Sequence, residues 1–366
     1  MRDYLIRRFL LLIPTLLGVS FVAFTITRFV PGGPLDMARA EAQQAAVKSG
    51  RHSGGSQDAL SAEQMKILEK YYGFDQPLLI AYGQYLGVLR REIEVPAKED
   101  APPGTEAVTE KRFAGLLQFS FGQSFRHGEP VWKVIRSRFP VSIYFGLISL
   151  FATYLVCIPL GVAKAMRHRT GFDSTSSIII FTGYAIPGYV LGILLLQVFA
   201  FKLGWLPHSG FRGENFDTLS LAGKIKDQLR HTIMPLTCYL LGHFAVLTMI
   251  MKNQLMDNLA SDYVRTAMSK GISFKRAVWG HAFRNSLVPI ATSFGHLVTM
   301  FVAGSLLIER IFDIQGFGLL GFSAVVDRDY PLMLGILILS SFLMLLGNII
   351  SDIAVAFVDP RIRFGK

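Results

Sequence analysis

The sequence predicts an all-α, polytopic membrane protein with six transmembrane helices, and three observations support that prediction. The first is composition, since 51% of the 366 residues are hydrophobic and the mean hydropathy is +0.40. An ordinary soluble domain of this length is less apolar. The second is a set of apolar runs close to the roughly 20 residues that a helix needs to cross the hydrocarbon core of a bilayer. The third is the distribution of lysine and arginine between those runs.

The apolar runs number six, and charged residues bracket them. They comprise residues 9–27, 139–163, 174–201, 231–251, 285–308 and 330–351. Arginines precede the first run, as in a signal peptide. The run is longer than the apolar core of a signal peptide, however, and no A-x-A cleavage pattern follows it. We therefore predict that the first run is retained as a helix.

Basic residues are concentrated in four segments that an N-terminus inside the cell would place together in the cytoplasm. They are the N-terminal tail, the connections at residues 164–173 and 252–284, and the C-terminal tail. These segments hold fifteen lysines and arginines against five aspartates, which accounts for most of the net charge of +11. This positive-inside pattern predicts a multi-pass membrane protein with both termini in the cytoplasm, and the basic balance then requires no nucleic-acid partner.

Three regions follow from these boundaries. Residues 1–30 comprise a cytoplasmic tail and the first transmembrane helix, residues 31–138 a large periplasmic insert, and residues 139–366 a core with five transmembrane helices. Within the insert, "LSAEQMKILEKYYGF" and "QPLLIAYGQYLGVLRR" are typical of amphipathic helices, the second starting at Pro77. Two stretches rich in Gly, Pro and polar residues are predicted as loops. We therefore expect a small helical cap.

A polar, basic stretch, "DYVRTAMSKGISFKRAVWGHAFRN", interrupts the apolar sequence between Asp262 and Asn285. Two short helices are predicted in it, because apolar residues recur at helical spacing on both sides of Gly271, a residue type that commonly ends helices. The expected inward faces consist of Val264, Ala267 and Met268 in the first helix and Phe274, Ala277, Val278 and Ala282 in the second. Ser273 is placed to cap the second helix. Such a protrusion is either a docking surface or a solvated basic loop near lipid headgroups.

The sequence contains no recognisable catalytic or nucleotide-binding motif. G-x-x-x-x-G-K-[ST], H-E-x-x-H and G-x-S-x-G are all absent. Cys157 and Cys238 lie inside apolar runs without a C-x-x-C pattern, so we predict that both are packing residues. We expect no catalytic residue, no metal ligand and no cofactor bound by this chain, which is therefore not an enzyme by itself.

Polar side chains within the runs are candidates for a translocation pathway. His243 and His296 fall in the middle of the fourth and fifth runs, and Tyr184 and Tyr189 lie in the third. A charged group at that depth costs roughly 2.5 kcal/mol or more, so each histidine is either a neutral, hydrogen-bonded packing residue or a pathway residue. The two tyrosines are grouped with the histidines as pathway candidates.

The outer loop "FDIQGFGLLGFSAVVDRDYP" follows the fifth run and is unusually apolar. Its glycines permit a bent chain, and side chains such as Phe317 and Leu320 are hard to leave in water. We predict that residues 316–328 fold back into the protein with a short helix near residues 319–326. The segment then either borders an outer gate of the pathway or fills a gap between helix ends.

Two classes of transport function compete on this evidence. A self-sufficient secondary carrier commonly places carboxylates in mid-membrane and contains inverted repeats. No Asp or Glu lies inside any of the six runs, and no repeat is evident. An energy source outside this chain is therefore favoured, and the basic protrusion is where such a partner would attach.

The stretch "YVRTAMSKGISFKRAVWGHAFRNSLVPI" resembles the coupling loop of type I ABC importer permeases of the oligopeptide and dipeptide branch. Arg265-Thr266-Ala267 stands where the general family pattern has Glu-Ala-Ala, and Gly271 matches the family glycine. The missing Glu departs from the general pattern but suits the peptide branch. "GSLLIERIFDIQGFGLLGFSAVVDRDYP" and the terminal "DPRIRF" resemble the same branch, and "RDYPLMLG" is similar to Yej-type peptide permeases.

The resemblance implies a type I ABC importer permease fold, a location in the bacterial inner membrane and a set of partners. Residues 252–286 would be the coupling loop that contacts a cytoplasmic ABC ATPase, which uses ATP and Mg²⁺. The other expected partners are a second permease in a heterodimer, a periplasmic substrate-binding protein, membrane lipid and a peptide substrate, with a non-peptide solute as the alternative. The implied coupling residues are Tyr263, Arg265, Thr266, Ala267, Lys270, Gly271, Ile272 and Ser273.

Overall fold

The computed structural model describes residues 2–30, 75–95, 108–303 and 305–358, and helices dominate these residues. The helices are α1 (Arg2–Phe29), α2 (Leu78–Leu86), α3 (Val131–Met166), α4 (Gly171–Ala185), α5 (Gly188–Leu195), α6 (Leu221–Leu259), α7 (Asp262–Ser269), α8 (Phe274–Ala277), α9 (Phe283–Ser286), α10 (Val288–Ala303), α11 (Leu306–Ile311), α12 (Phe317–Val326) and α13 (Tyr330–Val358). Two π-helical segments, Leu196–Lys202 and Val278–Ala282, extend α5 and join α8 to α9. The predicted helix at residues 60–74 lies outside the described residues.

Four of the described helices, α1, α3, α6 and α13, are long and apolar enough to cross a membrane. The segments Gly171–Ala185 and Gly188–Lys202 form a bent pair that would make a fifth span. These helices coincide with five of the predicted runs, which confirms a polytopic α-helical membrane protein. Helix α10 covers 16 residues of the remaining run, so the count of six stays a prediction.

The bent pair turns by 93° at Ile186 and Pro187. Helix α5 then packs closely on α6, because a Cβ atom on Gly188 would lie 3.1 Å from the carbonyl oxygen of Cys238. A Cβ atom on Gly192 would lie 3.5 Å from the Cys238 Sγ atom. Small residues thus let the two helices approach closely, and Gly188 and Gly192 have the G-x-x-x-G spacing that is common at contacts between membrane helices.

The described residues divide into two compact units. The first comprises those within Met1–Ile13, Ser137–Phe322 and Ser340–Lys366. Its apolar core is built mainly by α3, α6 and the segments that follow α6, with residues such as Phe145, Met251 and Leu255 buried. Cys157 and Cys238 belong to this core as free, buried thiols, which confirms their prediction as packing residues.

The second unit comprises the described residues within Pro14–Arg136 and Ser323–Leu339. Helix α2 lies against the second half of α1, where the Ser20 and Tyr82 hydroxyl groups are 2.8 Å apart and the Phe24 ring stacks on the Tyr85 ring. The buried Asp329 carboxylate accepts hydrogen bonds from the Ser124 hydroxyl and other donors in this unit. Hydrogen bonds and ring stacking therefore hold the segments of this unit together.

The second unit also contains a β-hairpin where the sequence had predicted only helix and loop. Strand β1 (Arg91–Val95) pairs antiparallel with β2 (Val108–Arg112), in a register that sets Arg91 opposite Arg112. Helix α2 ends earlier than predicted because Gly87 adopts a left-handed φ of 81°, which stops the helix and turns the chain toward β1. Strand pairing depends on a distant partner segment, so the local pattern of "VLRREIEV" did not reveal it.

Candidate functional site

The basic stretch forms a helical protrusion, defined here as residues 262–286. Helix α6 continues through Lys252 to Leu259. The segment that follows α6 is therefore shorter than the predicted loop of residues 252–286. Helix α7 then runs to Ser269, and Gly271 follows with a φ of 88°, a conformation that suits glycine. The predicted pair of short helices around a glycine turn is therefore confirmed.

The inward face of the protrusion agrees with the expected pattern except at two positions. Val264, Ala267, Ala277, Val278 and Ala282 are buried. The Met268 and Phe274 side chains, predicted to pack inward, are instead 41% and 44% exposed. Short helices touch their support along a narrow stripe only, so an apolar residue at the edge of the stripe faces outward. These two side chains add apolar area to the outer surface.

The outward face combines this apolar area with positive charge. Among the implied coupling residues, Tyr263, Arg265, Thr266, Lys270, Gly271 and Ser273 are exposed, Ile272 is half-buried and Ala267 is buried. Lys275 and Arg276 are exposed as well. Ser273 holds the N-cap position of α8, but its side chain makes no capping hydrogen bond. The surface suits a partner that offers acidic groups around an apolar depression.

Hydrogen bonds connect the first helix of the protrusion to α6 and to α9, the last helix of the protrusion. The Tyr263 hydroxyl donates to Asn258 Oδ1 at 2.8 Å and accepts from Asn285 Nδ2 at 3.1 Å. Asn258 Nδ2 in turn donates to Ser286 Oγ at 3.2 Å. The end of α6, the start of α7 and α9 are therefore linked by side chains. Sequence reasoning missed Asn258, Asn285 and Ser286, whose only signal was their position at the two ends of the stretch.

The pathway candidates occupy separate positions in the fold. Tyr184 and Tyr189 flank the bend between α4 and α5, and their side chains are 51% and 41% exposed. His243 lies in α6 and is partly buried. His296 lies in α10, and its side chain is outside the described residues. A shared pathway for these residues stays a prediction.

The outer loop folds back into the protein through α12, as predicted. Phe317 and Leu320 are buried, and the Phe317 ring packs edge-on against Phe139. The N-terminus of α12 is anchored, since the Phe317 N–H donates to Ser142 Oγ at 2.8 Å. Both gate candidates therefore pack against their own chain in this conformation, and a role at the outer gate stays a prediction.

Glu309 supplies the second anchor of α12 and was not singled out from the sequence. Its buried carboxylate accepts a hydrogen bond from the Leu319 N–H at 2.6 Å and interacts with the backbone N–H of Gly318. Burial raises the pKa of this carboxyl group to about 7, and the backbone hydrogen bonds oppose that rise. A Cβ atom on Gly316 would lie 2.5 Å from the carboxyl carbon, so a larger residue there would displace the Glu309 carboxylate.

Comparisons with known proteins agree with this architecture. Residues 157–364 match the family described as binding-protein-dependent transport system inner membrane component. The chain is 39% identical over 373 residues to the inner membrane ABC transporter permease protein YejB of Escherichia coli O157:H7, covering 100% of this chain and 99% of that protein.

Two further relatives are also matched over their full length or nearly so. The peptidoglycan transport system permease protein YejB of Agrobacterium fabrum is 34% identical, with 100% of this chain and 99% of that protein covered. The oligopeptide transport system permease protein AppB of Bacillus subtilis is 31% identical, with both chains covered at 100%. The chain therefore belongs to the family of binding-protein-dependent transport system inner membrane components, and it is an ABC transporter permease.

Proposed function

We propose that this chain is the membrane subunit of an ATP-driven importer that moves peptides across the bacterial inner membrane. The observation that carries the proposal is the protrusion of residues 262–286. It exposes basic and apolar side chains together, and the Tyr263 hydrogen bonds tie its first helix to α6 and to α9. A solvated loop would need neither the exposed Met268 and Phe274 nor a fixed orientation.

A separate cytoplasmic ABC ATPase would dock on this protrusion, with both termini of the permease on the same side of the membrane. The ATPase would use ATP and Mg²⁺, while this chain would bind no cofactor of its own. Closure of the ATPase would displace the protrusion and, through α6, the transmembrane helices. A partner shifts such an equilibrium only if it binds the two conformations with different affinities.

Two further partners complete the proposed machine. A second permease would form a heterodimer with this chain and enclose the pathway. A periplasmic substrate-binding protein would deliver the solute, which fits the family's description as binding-protein-dependent. Tyr184 and Tyr189, which are exposed in the single chain, are available to face the second permease or the pathway.

Peptide is the proposed substrate because relatives that match along the whole chain carry that designation, among them the oligopeptide permease of Bacillus subtilis. The Agrobacterium relative is designated a peptidoglycan transport permease. Peptide-containing fragments of peptidoglycan are therefore the second candidate. Uptake of labelled peptides of different length, with peptidoglycan fragments as competitors, separates the two.

The test of the docking surface is Gly271→Val in the reconstituted importer. Gly271 has a left-handed φ, and a Cβ atom there would meet no heavy atom within 4 Å. The substitution therefore distorts the turn without an internal clash, at a backbone cost of about 1–2 kcal/mol. We expect retention of the ATPase by the membrane complex and ATP-dependent peptide uptake to fall together. Each is measured in proteoliposomes.

Gly204→Val is the matched control, because Gly204 also has a left-handed φ, 64°, with no heavy atom within 4 Å. It lies in the loop after the π-helical segment Leu196–Lys202, outside the protrusion. Normal coupled uptake by Gly271→Val would contradict the docking proposal. Peptide uptake by the chain alone, driven by a proton gradient, would instead support a secondary carrier.

A further inference from the structure

A buried charged cluster joins three helices near the protrusion. Lys164 of α3, Asp173 of α4 and Lys252 of α6 are 0%, 6% and 7% exposed. Lys252 Nζ donates to both carboxylate oxygens of Asp173 at 2.8 Å, and Lys164 Nζ lies 3.0 Å from Asp173 Oδ1. Two ammonium groups therefore share one carboxylate inside the protein.

Lys164 and Asp173 contact each other and have further partners besides Lys252. Lys164 Nζ also donates to the Asp173 carbonyl oxygen and to the hydroxyl groups of Ser176 and Ser177, at 2.7–2.9 Å. Asp173 Oδ2 accepts from the Arg169 N–H at 3.2 Å, and His168 Nδ1 lies 3.3 Å from the same oxygen. This pair is balanced in charge and ties α3 to α4.

Lys252 adds a second buried positive charge to this balanced pair. Removing an ammonium group from water is costly, and the Lys164 ammonium group already compensates the Asp173 carboxylate. The stability of the pair alone therefore does not account for a lysine at position 252. What Lys252 provides is a direct connection between α6 and α4, 79 positions apart in the chain.

Lys252 is also rigidly connected to the protrusion. Helix α6 is continuous from Lys252 to Leu259, and Asn258 in its last turn bonds to Tyr263 of α7. Next to the cluster, α3 lies directly on α6, since a Cβ atom on Gly161 would be 2.6 Å from Met251 Cβ. A displacement of the protrusion must therefore move Lys252 and strain its contact with Asp173.

We propose that Lys252 is a positioning residue that passes the displacement of the protrusion from α6 to α4 through Asp173. The inference rests on the proposed function, because it requires an ATPase that moves the protrusion. Helix α4 belongs to the bent pair that carries Tyr184 near its end, so the connection leads from the docking surface toward the pathway candidates.

The test is Lys252→Met in the full importer complex, which removes the charge and leaves the Lys164–Asp173 pair intact. We expect the midpoint of thermal unfolding in detergent to be equal to or above that of the wild type. The complex should still hydrolyse ATP. Peptide transported per ATP hydrolysed should fall about tenfold, within the usual range of coupling between sites. Lys252→Arg keeps the ion pair and should retain most of the coupling.

Lys226→Met is the matched control, because Lys226 is an exposed lysine near the other end of α6. A wild-type complex without ATP-dependent peptide uptake would refute the proposed function itself. An unchanged transport ratio in Lys252→Met, beside a working wild type, would overturn the positioning role. A lowered midpoint or failure to assemble would overturn it too, because Lys252 would then serve stability.

Discussion

Glu309 is a carboxyl group whose ionisation affects stability at the residue scale. Its pKa is raised from 4.5 to about 7 by burial, so the folded protein holds the proton more tightly than the unfolded chain. Its contribution to stability is then fully present below pH 4.5 and is lost as the pH rises through 7. The size of this contribution is on the order of 3 kcal/mol.

We predict that Glu309→Gln weakens this pH dependence. The glutamine amide oxygen still accepts from the N-terminus of α12 but carries no charge, so the midpoint of thermal unfolding should change less between pH 5 and pH 8 than in the wild type. Thermal scans of the detergent-solubilised permease measure this. Glu214→Gln, at an exposed carboxylate, is the control. Parallel pH profiles for wild type and Glu309→Gln would contradict the prediction.

At the scale of elements, α7 has eight residues and too few internal hydrogen bonds to be stable alone. Its position depends on the burial of Val264 and Ala267 and on the Tyr263 hydroxyl, which joins Asn258 to Asn285. Packing thus fixes the depth of the helix, and the hydrogen bonds restrict its rotation.

We predict that Tyr263→Phe loosens α7 without unfolding the permease. The two lost hydrogen bonds are exposed, so each contributes at most about 0.5–1.5 kcal/mol. Hydrogen exchange of the α7 amides should accelerate several-fold, while exchange in the middle of α6 stays unchanged. Mass spectrometry of the solubilised protein reports both. Thr266→Val, at an exposed site on the same helix, is the control, and equal exchange rates in all three proteins would argue against the restraint.

At the scale of the whole molecule, the length of α6 sets a test of topology. Its 39 residues extend for roughly 58 Å at 1.5 Å per residue, about twice the thickness of a bilayer core. If α6 spans the membrane, the loop before it and the protrusion after it lie on opposite sides. The positive-inside pattern predicts that the protrusion lies in the cytoplasm.

We therefore predict that the single-cysteine variants Asp217→Cys and Lys275→Cys react with a membrane-impermeant maleimide from opposite sides of the membrane. Both positions are exposed. The Lys275 site should react only after the cells are opened, and the Asp217 site in intact spheroplasts. The native Cys157 and Cys238 are buried, and a variant lacking both provides the background. Reaction of both sites from the same side would refute the assignment of α6 as a span.

The sequence by itself determined the membrane class, most of the spanning segments and the helix–glycine–helix protrusion. Run length, helical spacing and a glycine at a helix end are local properties, so they can be read without knowing what lies nearby in space. The same holds for α12, whose apolar side chains and glycines indicated a segment that folds back. Family motifs added the expected partners.

Only the tertiary structure decided which polar groups are buried and what they contact. Lys164 and Lys252 stand in the sequence as charges flanking two apolar runs, yet both are buried against Asp173. Met268 and Phe274 fit an inward helical face but lie exposed. The physical reason is that the free energy of burying a charge or an apolar side chain depends on partners brought from other helices. No local pattern contains that information.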